Sequence, residues 1–135
     1  MDILAFSGYN FGYCSYNTHP AWETPDVVFD PFIHRLMALS PGKPIFIAQT
    51  GTTSYTKQGK SVAAKNQWLA DAYTFLTEHP AVRAVIYYNR WNAECDWSFY
   101  QFGGEAYTGY QQGVANPVYG YVSPLALKNM IFSWP

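Results

Sequence analysis

The chemistry open to this chain of 135 residues rests on nine carboxyl groups, three histidines, two cysteines and many aromatic rings. The acids are Asp2, Glu23, Asp26, Asp30, Asp71, Glu78, Glu94, Asp96 and Glu105. Asp30 precedes a proline and reads as a helix cap, whereas Asp71 and Glu78 fall on a helical pattern. Glu23, Glu94, Asp96 and Glu105 lie in segments that read as loops, where a solvated acid is the ordinary outcome. Glu94 and Asp96 follow closely on an apolar run and are the two acids worth testing as catalytic groups. His19, His34 and His79 are far apart, and Cys14 and Cys95 lack metal-ligand spacing, so neither a metal site nor a cofactor is expected. Two cysteines do not make a disulfide scaffold, and free, partly buried thiols are the expected state.

The rings are the stronger signal. Aromatic residues make up 19% of the chain, with 12 Tyr and 5 Trp, while charged residues make up only 13%. Many belong in a core, but Tyr9, Phe11, Tyr13, Tyr16, Trp22, Trp91, Trp97, Tyr107, Tyr110 and Tyr119 fall among Gly, Asn and Pro residues. Flat apolar platforms with polar edges suit the C–H faces and hydroxyls of sugars. The net charge of -1 and pI near 6.2, with the basic residues scattered, argue against a nucleic-acid partner. No run of 18 apolar residues crosses a membrane, and no leader is visible at the N-terminus.

Three short, almost uniformly apolar runs must position these groups: DILAFSG (2–8), KPIFIAQ (43–49) and RAVIYYN (83–89). Continuous hydrophobicity predicts strands covered on both faces, as in a parallel sheet. Each run is followed by a loop and then a helical pattern. The first helix is predicted to open at Asp30-Pro31 with Phe32, Ile33, Leu36 and Met37 on one face, and to stop at Ser40-Pro41-Gly42. Ser61 caps the second, which carries Trp68, Leu69, Ala72, Phe75 and Leu76. Ser123-Pro124 opens the third. The order is β-α-β-α-β-α, with long loops after the strands and tight returns before them, the asymmetry of an α/β barrel whose site lies at the carboxyl ends of its strands. A whole (β/α)8 barrel takes roughly 250 residues. The chain is therefore predicted to be one partial-barrel domain, 1–135, with two open sheet edges that call for completion by other copies or by the rest of a barrel.

The segments DILAFSGYNFG, Trp22-Glu23, PGKPIFIAQTGT, KNQWLADAY, VRAVIYYNRW and the following Asp-Trp together resemble glycoside hydrolase family 26. That family holds β-mannanases and related β-glucanases. The likeness covers nearly all of residues 1–100 and corresponds to the last three βα units of that barrel. It implies a retaining mechanism with an acid/base and a nucleophile about 5–5.5 Å apart, the nucleophile standing at the position held here by Gln49. The acid/base belongs to a strand this sequence does not contain. The resemblance thus implies ancestry in an endo-β-glycosidase acting on plant polysaccharide, together with loss of turnover, because a carboxamide is uncharged and a poor nucleophile. It also implies sugar-binding roles for Tyr9, Asn10, Trp22, Asn89 and Trp91. Trp97 reads as either an outer platform or a loop anchor. The partner expected is a β-linked oligo- or polysaccharide, and the parent enzyme is expected to be secreted. A non-catalytic glycan-binding module and a self-assembling half-barrel are the alternatives.

Overall fold

The computed structural model describes residues 3–90, 94–99 and 107–120. Its central element is a three-stranded parallel sheet of β1 (Leu4–Asn10), β2 (Ile45–Thr52) and β5 (Val82–Tyr87), in that spatial order. Helix α1 (Pro25–Leu39) connects the first pair and α2 (Val62–Thr77) the second. A short antiparallel hairpin, β3 (Tyr55–Thr56) and β4 (Gly59–Lys60), precedes α2, and α3 (Tyr107–Val114) packs on α2. The strand-helix alternation predicted for residues 1–89 is present. The hairpin and α3 are additions to it, and the helix predicted from Ser123-Pro124 lies outside the described residues.

Both crossover helices cover the same face of the sheet. Leu4, Ile45 and Ile47 point into one core with Val28, Phe29 and Ile33 of α1 and Trp68, Leu69, Ala72 and Leu76 of α2. Phe29 is fully buried and lies 5.9 Å from the Trp68 ring. The opposite face is left open, with Ala5, Ser7 and Gln49 exposed and Ile86 56% exposed. Continuous apolar character had predicted cover on both faces; among the described residues only one face has it.

The first helix starts earlier than its proline suggested. Thr24 is the residue before α1, Pro25 occupies the first turn, and Pro31 lies within the helix. Pro31 lies nearly two turns into the helix, where it removes the N–H that would pair with the Val27 carbonyl. Asp30 is accordingly not a cap. It lies 3.2 Å from His34 Nδ1 and 3.8 Å from His79 Nε2 instead. Ser61 does cap α2, its hydroxyl accepting from the Ala64 N–H at 3.1 Å, which satisfies one of the unpaired donors of the first turn.

Helices α2 and α3 approach so closely that a side chain at Gly109 has no space. A Cβ there would stand 2.0 Å from the Asn66 carbonyl oxygen. Gly109→Ala is therefore expected to lower stability by about 1–3 kcal/mol, as forced overpacking does. Gly120→Ala, with nothing within 4 Å of the added carbon, serves as the neutral control. Chemical denaturation of both variants reads the difference.

Candidate functional site

The site predicted at the carboxyl ends of the strands depends on one irregularity. The β1–β2 register runs Leu4↔Ile45, Ala5↔Phe46, Phe6↔Ile47 and then Ser7↔Gln49, so Ala48 is an extra residue. In strict alternation Ile45, Ile47 and residue 49 would share the core face. The bulge reverses that phase, and Gln49 joins Ser7 and Tyr9 on the open face. There the Tyr9 hydroxyl donates to Gln49 Oε1 at 2.7 Å. Gly51 pairs with Tyr9 across the sheet. A Cβ at Gly51 would meet the Trp97 ring at 3.0 Å and the Tyr9 ring at 3.2 Å, so the absent side chain is what lets both rings settle over the strand.

Around this pair stands a group of rings. Trp97 lies 5.2 Å from Tyr9 and 5.4 Å from Phe11, both contacts edge-to-face, and Tyr88 meets Tyr9 at 6.2 Å. Edge-to-face pairs at these separations add to simple burial. Tyr16 packs on Phe11 and remains 41% exposed. Burial raises the hydroxyl pKa values of Tyr9 and Tyr16, so Tyr9 keeps the proton it gives to Gln49 at neutral pH.

Several residues predicted to touch ligand are used internally. Asn10 is fully buried; its Nδ2 donates to Thr52 Oγ1, and its Oδ1 accepts from the Gly12 and Glu23 N–H groups. It ties the β1 loop to the end of β2 rather than facing solvent, which corrects its predicted role. Trp97 is 3% exposed and packs against Tyr9 and Phe11. Asn89 is exposed, and its Oδ1 accepts from the Phe99 N–H at 2.9 Å. Trp22 is half-buried against the main core. Trp91 and Glu105 lie outside the described residues.

Asp96, proposed from sequence as a substitute carboxylate, is 1% exposed and committed to structure. Its Oδ1 accepts from Thr53 Oγ1 at 2.6 Å and from the Ser54 N–H at 2.8 Å. Lys65, also 1% exposed, reaches across from α2. Its Nζ donates to the carbonyl oxygens of Asp96 and Ser98, and stands 3.9 Å from Asp96 Oδ2. Sequence reasoning gave Lys65 no role of its own; it entered only within the KNQWLADAY segment. Its position, four residues after the Ser61 cap on the sheet-facing side, was the available signal. Glu94 is exposed and is the remaining acid of the pair singled out.

The cysteines are not free thiols. Cys14 and Cys95 form a disulfide with Cα atoms 5.2 Å apart, 3% and 0% exposed, packed with Trp97. It joins the loop after β1 to the loop after β5 across 81 residues of sequence, a partnership that spacing alone could not indicate. Among the described residues, no three His, Cys, Asp or Glu side chains converge as a metal site, and no helix is long and apolar enough to cross a membrane. Compared with known proteins, the chain matches no family model and no curated sequence.

Two outcomes follow from this chemistry. Replacing both cysteines with serine is expected to cost about 2–5 kcal/mol, the usual effect of removing a native disulfide, measured by urea unfolding with and without the bond. Burial lowers the Lys65 pKa from 10.5 to about 8, against the pull of Asp96 and with the help of Lys60. Folding therefore releases this proton between about pH 8 and 10.5, and stability rises with pH through that window. Above pH 10 the trend reverses, because burial raises the pKa values of Tyr73 and Tyr87 and only the unfolded chain ionises there. Unfolding free energies from pH 7 to 11 should peak near pH 10, and Lys65→Met should remove the rising limb.

Proposed function

We propose that the chain is the carboxyl-terminal portion of a (β/α)8 glycosidase-like barrel, about half of one. In this reading it binds a β-linked oligo- or polysaccharide of the mannan or glucan class without hydrolysing it. The observation that carries the reading is the Tyr9–Gln49 hydrogen bond on the open face at the carboxyl ends of parallel strands. Retaining glycosidases need a charged nucleophile at such a place and a second carboxyl group to protonate the departing oxygen. Gln49 preserves the shape of a glutamate and its acceptor oxygen, yet carries no charge and attacks poorly. Asp96 is buried and occupied, so it does not restore the missing group. Phe11 and Tyr88 beside Tyr9, and Tyr16 packed on Phe11, supply ring faces and edges for a sugar.

The open architecture supports a completing partner, either the remaining units of a barrel or another copy of the chain. β1 and β5 each leave one edge unpaired within the described sheet. Phe32 and Leu39 on α1 and Ile86 on β5 are exposed apolar groups of the kind that adjoining elements would cover. The disulfide favours an oxidising compartment, in line with a secreted parent.

Mannohexaose or cellohexaose is expected to change the tryptophan fluorescence of the oxidised protein saturably, with no reducing sugar released on prolonged incubation. Hydrolysis by the unaltered chain would overturn the non-catalytic reading, and absence of binding to either glycan would overturn the glycan reading. Gln49→Glu should bind and still not turn over; turnover by that variant would place a competent acid/base within this chain. Light scattering separates the partner readings, a homo-oligomer supporting self-completion and a monomer supporting a missing remainder.

A further inference from the structure

The sugar-facing groups are held from behind by a single buried cation. The segment 94–99 follows β5 and supplies Cys95, Trp97 and Phe99 to the packed interior. It lies outside the named strands; the Cys95 carbonyl accepts from the Trp97 N–H, and the next three carbonyls accept from side chains. Lys65 Nζ takes two of them, Asp96 O and Ser98 O, on either side of Trp97. The Tyr87 hydroxyl takes the third, donating to the Trp97 carbonyl at 2.8 Å. From the other side, the Asp96 side chain fixes the segment to Thr53 and Ser54, just past β2. The Trp97 ring then presses on Tyr9 at 5.2 Å, and Tyr9 donates to Gln49.

We propose that Lys65 is a positioning residue for the glycan site: by gripping the backbone on both sides of Trp97, it sets the indole that seats Tyr9 against Gln49. The distance from α2 to the open face is spanned by three consecutive links, the Lys65 grip on the backbone, the Trp97–Tyr9 packing and the Tyr9–Gln49 hydrogen bond. Lys65 touches no ligand itself. Its attachment is also selective in kind. A helix-borne methionine could fill the same volume, but it would donate to neither the Asp96 nor the Ser98 carbonyl oxygen. Asp96 contributes in two ways, as the anchor to the β2 loop and as the negative group nearest the ammonium. Lys60 is the cation that opposes it, and Tyr9, Tyr16, Tyr87 and Tyr110 are the other titratable groups against the same segment.

The role rests on the glycan reading for its purpose but can be measured without any glycan. Trp97 gives a near-ultraviolet circular dichroism signal, assigned by difference from Trp97→Phe. In the oxidised wild-type chain this signal should change with a midpoint near pH 8, where Lys65 loses its charge. In Lys65→Met it should be reduced and flat with pH, with the far-ultraviolet spectrum and the disulfide retained. Asp96→Asn keeps the acceptor oxygen for Thr53 and Ser54 while removing the charge, so the midpoint should move to lower pH. Should Lys65→Met fail to fold, the Asp96→Asn midpoint alone decides. A Trp97 signal in Lys65→Met that matches wild type, or a wild-type midpoint unmoved by Asp96→Asn, overturns the proposal. Titration with mannohexaose and cellohexaose then tests the purpose. If wild type binds, Lys65→Met should bind at least tenfold more weakly, and equal affinity overturns the positioning role. If wild type binds neither hexaose, the glycan reading fails, while the spectroscopic result still decides what Lys65 holds in place.

Discussion

One extra residue in a strand governs where the polar chemistry of this molecule faces. The core is built on Leu4, Phe6, Ile45 and Ile47 pointing toward the helices. Without the bulge at Ala48, the same alternation would carry Gln49 into that core. A buried carboxamide without partners is costly, whereas on the open face it finds the Tyr9 hydroxyl at 2.7 Å. After the bulge Thr50 and Thr52 take the inward positions. The inward face thus changes from aliphatic to hydroxyl-bearing within one strand, at the depth where the helices give way to loops.

That change creates a second requirement. Thr52, Thr53, Ser54, Asn10, Asp96 and Lys65 are all buried, and a buried polar group without a partner costs more than its hydrogen bond returns. The chain meets part of this with side chains that join different loops, while Thr50 Oγ1, Ser54 Oγ and Asp96 Oδ2 have no hydrogen-bond partner among the described residues. Asn10 connects β1 to β2 and to the segment before α1, Asp96 connects the β5 loop to the β2 loop, and Lys65 connects α2 to the β5 loop. The disulfide adds a covalent link between the β1 and β5 loops. Irregular segments gain the order that strands and helices get from their ladders, and a rigid seat for aromatic rings is the consequence.

How much of this can be read from sequence follows from what is periodic. The three apolar runs and the helical spacing of Trp68, Leu69, Ala72, Phe75 and Leu76 are local patterns, and the corresponding elements form where the pattern lies. The bulge is not a pattern, because IFIAQTG reads equally well with or without it; only pairing with the neighbouring strands β1 and β5 reveals the extra residue. Asp30-Pro31 misled for a related reason. A proline usually marks the first helical turn, yet here the helix begins at Pro25 and carries Pro31 inside it. Asn10, Asp96 and Lys65 are polar types that are usually solvated, and their burial depends on partners 31 to 42 residues away in sequence. The Cys14–Cys95 bond is more distant still. Long-range pairs of single residues leave no periodic trace, and they are what make the site.

The same reasoning bears on why an amide is tolerated at residue 49. Tyr9 requires an acceptor oxygen, and either a carboxylate or a carboxamide supplies one at the same place. The exchange therefore keeps the geometry of the pair and removes only the charge. In the glycosidase reading that charge stabilises the developing positive centre and attacks it, so the amide abolishes the reaction and leaves the surroundings unaltered. A carboxylate on this open face would also repel Glu94 and other exposed acids, a weak and salt-screened effect at the surface. Neither packing nor electrostatics thus demands glutamate here; only catalysis does. In that reading a scaffold relieved of catalysis is free to hold Gln49, while the tyrosine and the rings packed against it keep their contacts.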